Sequence, residues 1–143
     1  MADFTTKIVL GLDLAKAIAK RASEKASELN VGGAIAVVDD SGNLIYLEKI
    51  DGTMPAASNI AIGKAATCAA FKRPTRILEE LIQNKRIAML DLSGITNTPY
   101  VPLMGAYPIY INDEIVGAVS VAGAETGEND EIIALYACEI VVN

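Results

Sequence analysis

The lysine at position 64 is the side chain in this sequence with the most evident capacity for chemistry. It is the only charged residue in the segment 55–71, which otherwise contains small and apolar residues. A helix that is apolar all around is normally buried, so this ammonium must reach solvent, pair with an acid, or face a ligand or another subunit. Burial would lower the lysine pKa, and Lys64 could then act as a base or an imine-forming nucleophile.

Other polar side chains could complete a ligand-binding or catalytic site around Lys64. Thr67 falls on the same side of a helical wheel as Lys64, and Ser58 and Asn59 lie earlier in the same segment. Ser58 and Asn59 could bind a ligand or satisfy local backbone groups. Asp51 could hold a lysine or a substrate hydroxyl, although an acid there could also simply cap the helix.

The C-terminal half of the chain contributes two further candidates for a binding pocket. Tyr107 stands two residues after Gly105, where little side chain obstructs the backbone. We expect both residues to line the pocket. An apolar wall around one cation suits a carboxylate-bearing or aromatic ligand.

Composition excludes several classes of site. The chain has no histidine, which removes Ser-His and Cys-His nucleophiles and leaves almost no material for a zinc site. We therefore predict no metal site, and we interpret Cys68 and Cys138 as reduced core residues. The net charge is −6, and no Lys or Arg follows Arg86. Such a chain is a poor nucleic-acid binder, although the basic turn 72–76 could meet an anion or pair with nearby glutamates.

The length of the chain predicts a single domain over residues 1–143. Its uncharged runs are too short for a membrane span, and its N-terminal residues do not resemble a signal peptide. We therefore expect a cytoplasmic protein with no membrane association.

Hydrophobic periodicity and turn residues predict the elements that must position these side chains. The predicted order is helix, hairpin, two helices, hairpin, helix. This order indicates an α+β fold with a mostly antiparallel sheet from two hairpins, packed with helices. The predicted helices cover 6–29, 75–87 and 129–140, together with the Lys64 helix, which begins at Pro55 and is broken by Pro74. The predicted strands cover 34–38, 44–49, 107–111 and 115–122, and a long loop covers 89–106.

Short segments spread over nearly the whole chain resemble the GlcG/HbpS-like domains, a family often described as haem-binding or haem-degrading and related to the PduO C-terminal domain. These segments are Ala36–Asp39 with Gly42, Ile50–Gly52, Ser58 with Ile60–Ala61 and Lys64–Thr67, Phe71, Thr75, Gly105–Ile109, Gly117–Gly123 and Asn129–Glu131. The chain departs from the family pattern at Lys49, where arginine is usual, and at Ala106, where glycine is usual.

The resemblance implies an α/β fold, a homo-oligomer, and a small-molecule or tetrapyrrole ligand. Haem is the named ligand of some relatives, but the usual axial ligand, histidine, is missing here. We therefore interpret the chain as a small-ligand-binding protein for which haem is one possible ligand. The alternative is an enzyme of small-molecule catabolism that uses Lys64 and Asp51 in acid–base chemistry on a carboxylate or aromatic compound. A third hypothesis is a structural or assembly protein.

Overall fold

The computed structural model of the chain describes residues 1–97 and 99–140. It confirms the predicted α+β class and the predicted order of helices and hairpins. The elements are α1 Leu12–Glu28, β1 Ala34–Asp39, β2 Leu44–Lys49, α2 Ala57–Phe71, α3 Thr75–Gln83, a 3₁₀ helix Ile87–Ile95, β3 Ala106–Ile111, β4 Glu114–Ala122 and α4 Gly127–Cys138.

The two hairpins join into one four-stranded antiparallel sheet. The strand order is β2-β1-β4-β3, so the first strand of one hairpin pairs with the second strand of the other. In the centre Ala34 lies opposite Ala122, and Ala106 of β3 lies opposite Ser120 of β4. Pro108 lies in the edge strand β3, where a residue without an N–H group is tolerated.

The two faces of the sheet carry side chains of different size. One face packs large aliphatic residues against α1 and α4, and the other packs alanines against α2. Successive strand residues point to opposite faces, and small side chains on one face let α2 approach closely. The alanine face contains Ala34, Ala36, Ala106, Ala118 and Ala122 against Ala57, Ala61 and Ala65 of α2. The predicted buried, apolar helix around Lys64 is therefore confirmed.

Several element boundaries differ from the sequence-based prediction. The first helix begins at Leu12 because Gly11 has an extended backbone and the preceding segment is largely exposed. The last helix begins at Gly127 because the Thr126 hydroxyl caps it, accepting from the Asn129 N–H at 3.1 Å. Part of the predicted loop 89–106 is a 3₁₀ helix, and Thr98 of that loop lies outside the described residues.

α2 has 15 residues. Within the described ranges of the chain, no helix is both long enough and apolar enough to cross a bilayer.

Candidate functional site

The Lys64 side chain is buried and paired with Asp130, the fourth residue of α4. Lys64 is 1% exposed, and its Nζ donates to Asp130 Oδ2 at 3.1 Å and to the Met104 carbonyl at 2.9 Å. α2 and α4 cover opposite faces of the sheet, so the lysine must reach past the ends of β3 and β4. The ion pair therefore connects the two helical layers at one end of the sheet.

Gly105, immediately before β3, provides the space through which the lysine passes. Its φ of +121° lies in a region that favours glycine. A Cβ at this position would lie 2.5 Å from Lys64 Nζ and 2.8 Å from the Cβ of Asp130. The predicted site residues Lys64 and Gly105 are thus in direct proximity, and the absence of a side chain at 105 is what permits the ion pair.

The carboxylate of Asp130 is held by the backbone as well as by the lysine. Its Oδ1 accepts from the Ala124 N–H at 2.9 Å. The neighbouring Asn129 donates from Nδ2 to the Ala124 carbonyl at 3.0 Å. Two of the three ammonium hydrogens of Lys64 are used by Asp130 and Met104 among the described residues, so one remains for a further acceptor.

Burial makes both charges of the pair easier to neutralise than they would be in water. Desolvation lowers the pKa of Lys64, against the opposing effect of the Asp130 and Glu79 charges. Desolvation likewise raises the pKa of Asp130, against the opposing effect of Lys64 and of the Ala124 N–H. The arrangement can therefore hold a proton between two groups or exchange it with a bound molecule.

The ion pair opens on a cleft of about 260 Å³. Apolar side chains supply much of its wall, and Glu79 adds a second carboxylate. Glu79 is oriented by the Met104 N–H, which donates to its Oε2 at 3.2 Å. The cleft is lined by Met54, Ile60, Lys64, Glu79, Leu103, Met104, Ala122, Gly123, Gly127 and Asp130.

A second cleft, of about 330 Å³, adjoins the first. The two share four lining residues: Met54, Gly123, Gly127 and Asp130. The second cleft extends toward the β2–α2 connection, and Glu125 also lines it. A ligand larger than the first cleft would extend into the second.

Thr67 lies outside this cleft, although it shares the α2 helix with Lys64. It is buried, and its hydroxyl donates to the Gly63 carbonyl at 2.6 Å and accepts from the Val101 N–H at 2.8 Å. The hydroxyl also borders a separate small cavity. The bond to Gly63 lies within α2, whereas the bond from Val101 holds the segment before β3 against α2.

The remaining predicted site residues are placed elsewhere. Asp51 is exposed and lines a polar cleft of about 420 Å³ beside the end of α1. Ser58 is half-buried and Asn59 is exposed, and neither belongs to the lining of the Lys64 cleft. Their roles in ligand binding, and a catalytic role for Asp51, stay predictions.

Tyr107 points away from Lys64, toward the face of the sheet that α1 and α4 cover. Its hydroxyl donates to Glu131 Oε1 at 2.9 Å, and Arg76 Nε donates to the same oxygen at 3.1 Å. Arg76 also pairs with Glu80 at 2.9 Å, so this arginine of the basic turn is held by acids. Burial and the Glu131 charge raise the pKa of Tyr107.

Sequence reasoning missed the partner of the lysine. Asp130 lies in the first turn of α4 but is only 7% exposed. The second partner, the Met104 carbonyl, belongs to the backbone, so the residue type does not reveal it. The available signal was the requirement that a buried lysine be paired, but this requirement does not identify which acid lies close.

Comparisons with known proteins identify the family. The family model described as haem degrading protein HbpS-like matches residues 10–139. Protein GlcG of Escherichia coli (strain K12) is 35% identical over 117 residues, which cover 82% of this chain and 84% of that protein.

Solved structures with the same fold give consistent results. A double mutant of Streptomyces reticuli HbpS has a TM-score of 0.83 at 28% identity, covering 98% of this chain and 92% of that one. The PduOC:heme complex has a TM-score of 0.81 at 24% identity, covering 92% of this chain and 94% of that one. The extent of the family match and the identity to GlcG establish that this chain belongs to the HbpS-like family.

Proposed function

We propose that this protein binds a small organic molecule in the cleft beside the Lys64–Asp130 pair. The observation that carries the proposal is a buried ion pair, Lys64 with Asp130, beside a cleft with apolar walls. Concave, largely apolar sites with a few convergent polar groups are typical of ligand sites. The relatives support binding in general, because one solved neighbour is a haem complex.

The residues that line the two clefts do not fit haem. The chain contains no histidine, and the Lys64 amine is engaged by Asp130 and the Met104 carbonyl, so the lining side chains offer iron the thioethers of Met54 and Met104 and carboxylates. Haem carries two carboxylates, which would meet Glu79, Asp130 and Glu125. A haemin titration tests this directly, and we expect no saturable change in the Soret absorbance. A stoichiometric spectrum would contradict it.

Acid–base catalysis at Lys64 is the second candidate function. The supporting observation is that burial lowers the pKa of Lys64 while Asp130 lies within hydrogen-bond distance. In its neutral amine form, which the lowered pKa favours, Lys64 would accept a proton from a bound compound, and Asp130 would stabilise the resulting ammonium. Asp51 lies outside this cleft, so we assign it no step in this scheme.

Ligand binding can be tested with a cleft-blocking variant. Met54 is 49% exposed and lines both clefts, so Met54→Trp would fill them without disturbing the core. Leu44→Trp is the matched control, because Leu44 is 46% exposed on β2 and lines neither cleft. Compounds that raise the melting temperature of the wild type and of Leu44→Trp, but not of Met54→Trp, support the proposal. Compounds that stabilise all three equally would contradict it.

Self-association into a homo-oligomer also remains a proposal. α4 carries Ile132 and Leu135, which are 47% and 39% exposed. Exposed apolar residues on a helix are compatible with a subunit interface. α2, in contrast, has its buried residues covered by the sheet and by the segment before β3. Light scattering after size-exclusion chromatography measures the subunit number, and a monomer at all concentrations would contradict this proposal.

A further inference from the structure

We infer that the Lys64 cleft selects a small organic cation, an amine with an apolar body, over a carboxylate. This inference rests on the proposed function, because it concerns the ligand of the same cleft. The sequence favoured a carboxylate-bearing or aromatic ligand, and this inference keeps the aromatic group but replaces the carboxylate with an amine.

The charges of the lining residues favour a cation. Among the described residues that line the cleft, Lys64 is the cation, while Glu79 and Asp130 are carboxylates. Asp130 lies 3.1 Å from the ammonium and compensates it. The second carboxylate, Glu79, therefore gives the lining an excess of negative charge, and Glu125 adds another carboxylate in the adjoining cleft. An incoming anion meets net repulsion, and an incoming cation meets net attraction.

The N-terminus of α4 also borders the cleft, but it does not reverse this preference. A helix N-terminus carries about half a positive charge and could attract an anion. Here Glu128 and Asp130 lie in the first turn of α4, and Thr126 already accepts from the Asn129 N–H. The positive end of the helix is therefore balanced within the protein, and it does not offset the charge of Glu79.

The size and surface of the cleft suit a ligand with an aromatic ring. Met54, Ile60, Leu103 and Met104 provide apolar wall, and the volume is about 260 Å³. An apolar cavity of about 150 Å³ already holds benzene. An aromatic ring with a short alkyl chain therefore fits, with its ammonium near Glu79. Polarizable methionine sulfurs also make favourable contacts with aromatic rings.

A matched set of probes tests the charge preference. Phenethylamine, phenylethanol and phenylacetate share one ring and a similar chain, and at neutral pH their head groups are cationic, neutral and anionic. We expect calorimetric titration of the wild-type protein to rank their affinities in that order. Phenylacetate binding as tightly as phenethylamine would overturn the inference while leaving the proposed function intact. Failure of all three probes to bind in the cleft would also overturn the inference, whereas the proposed function is tested separately by the comparison of Met54→Trp with Leu44→Trp.

Variants of single carboxylates identify the residue that gives the cleft its preference for a cation. Glu79→Gln removes the charge but keeps an oxygen that can accept from Met104. We expect it to weaken phenethylamine binding about fivefold, the upper range for partly exposed ion pairs, without weakening phenylethanol. Glu24→Gln on the exposed face of α1 makes the same charge change far from the cleft and should have no effect. Equal effects of both variants would overturn the inference.

A second variant keeps the charge preference testable if Glu79→Gln destabilises the fold. If Glu79→Gln lowers the melting temperature strongly, Glu125→Gln in the adjoining cleft provides the same comparison, because Glu125 is exposed. We expect it also to weaken phenethylamine more than phenylethanol. An unchanged ratio of the two affinities would count against a charge-selective cleft.

Discussion

Lys64 occupies the space that a side chain at position 105 would need. Its Nζ lies 2.5 Å from the position of a Cβ built on Gly105, and the backbone there has a φ of +121°. The buried ion pair and this glycine are therefore one structural unit. A substitution at either position changes the connection between α2 and α4.

Gly105→Ala should destabilise the protein by about 2 kcal/mol or more, because backbone strain and a steric clash act together. Gly52→Ala is the matched control, since Gly52 also has a positive φ, +83°, but a Cβ added there would have nothing within 4 Å. Urea unfolding of both variants separates the clash from the strain. Equal losses of stability would contradict the packing described here.

Lys64→Met alone should cost about 3–5 kcal/mol, because it leaves the Asp130 carboxylate buried without its partner. Adding Asp130→Asn should recover much of that loss, since the amide is neutral and its oxygen can still accept from Ala124. Lys16→Met, on the exposed side of α1, serves as the control. Denaturant unfolding of the single and double variants measures the coupling, and additive losses would show that the two side chains do not interact.

Thr67→Val should release the segment before β3 from α2. The substitution removes the acceptor of the partly buried Val101 N–H, a loss of about 1 kcal/mol. Amide exchange at Val101 should become faster while exchange in the centre of the sheet stays slow. Thr5→Val, in the exposed N-terminal segment, is the control. Unchanged protection at Val101 would mean that the threonine does not hold this segment.

The thiols should react slowly with alkylating agents until the pH is high. Burial raises the pKa of Cys138 to about 11 and raises that of Cys68 further. At about pH 8 only about one Cys138 thiol in a thousand would be ionised, since each pH unit changes the ratio tenfold. Alkylation by iodoacetamide, followed by mass spectrometry, measures this. Rapid modification of the folded protein near neutral pH would contradict the burial of Cys68 and the partial burial of Cys138.

The raised pKa of Cys138 also determines the direction in which the stability of the protein changes with pH. Its folded-state pKa lies above the ordinary value of 9.0. The stability that the neutral thiol contributes is therefore complete below about pH 9 and is lost as the pH rises through about 11. Cys138→Ala should show a smaller loss of stability over this alkaline range than the wild type.

The sequence contained enough information to predict much of the fold, because local patterns encode it. The residue composition of 55–71 predicted a buried helix, and the strand Leu44–Lys49 has the bounds that alternation and turn residues indicated. The 3₁₀ helix Ile87–Ile95 was not predicted, because this segment has no helical period and contributes no buried residue among those described.

The site was predicted only in part, because its contacts join distant segments. Lys64 stood out from its neighbours, and Gly105 was chosen for its small size. The pairing of Lys64 with Asp130 depends on how α4 packs after the second hairpin, and no local spacing reveals it. Tyr107 was placed in the pocket by proximity to Gly105 in sequence, yet strand alternation directs it to the opposite face, where it binds Glu131.

Mapping of amide chemical shifts during a phenethylamine titration of isotope-labelled protein tests the central claim most directly. We predict saturable shifts centred on Met104, Gly123 and Gly127, which line the Lys64 cleft, and their loss in Met54→Trp. Shifts that are absent, or that centre on the polar cleft around Asp51 and Ser27, would contradict the assignment of this cleft as the ligand site.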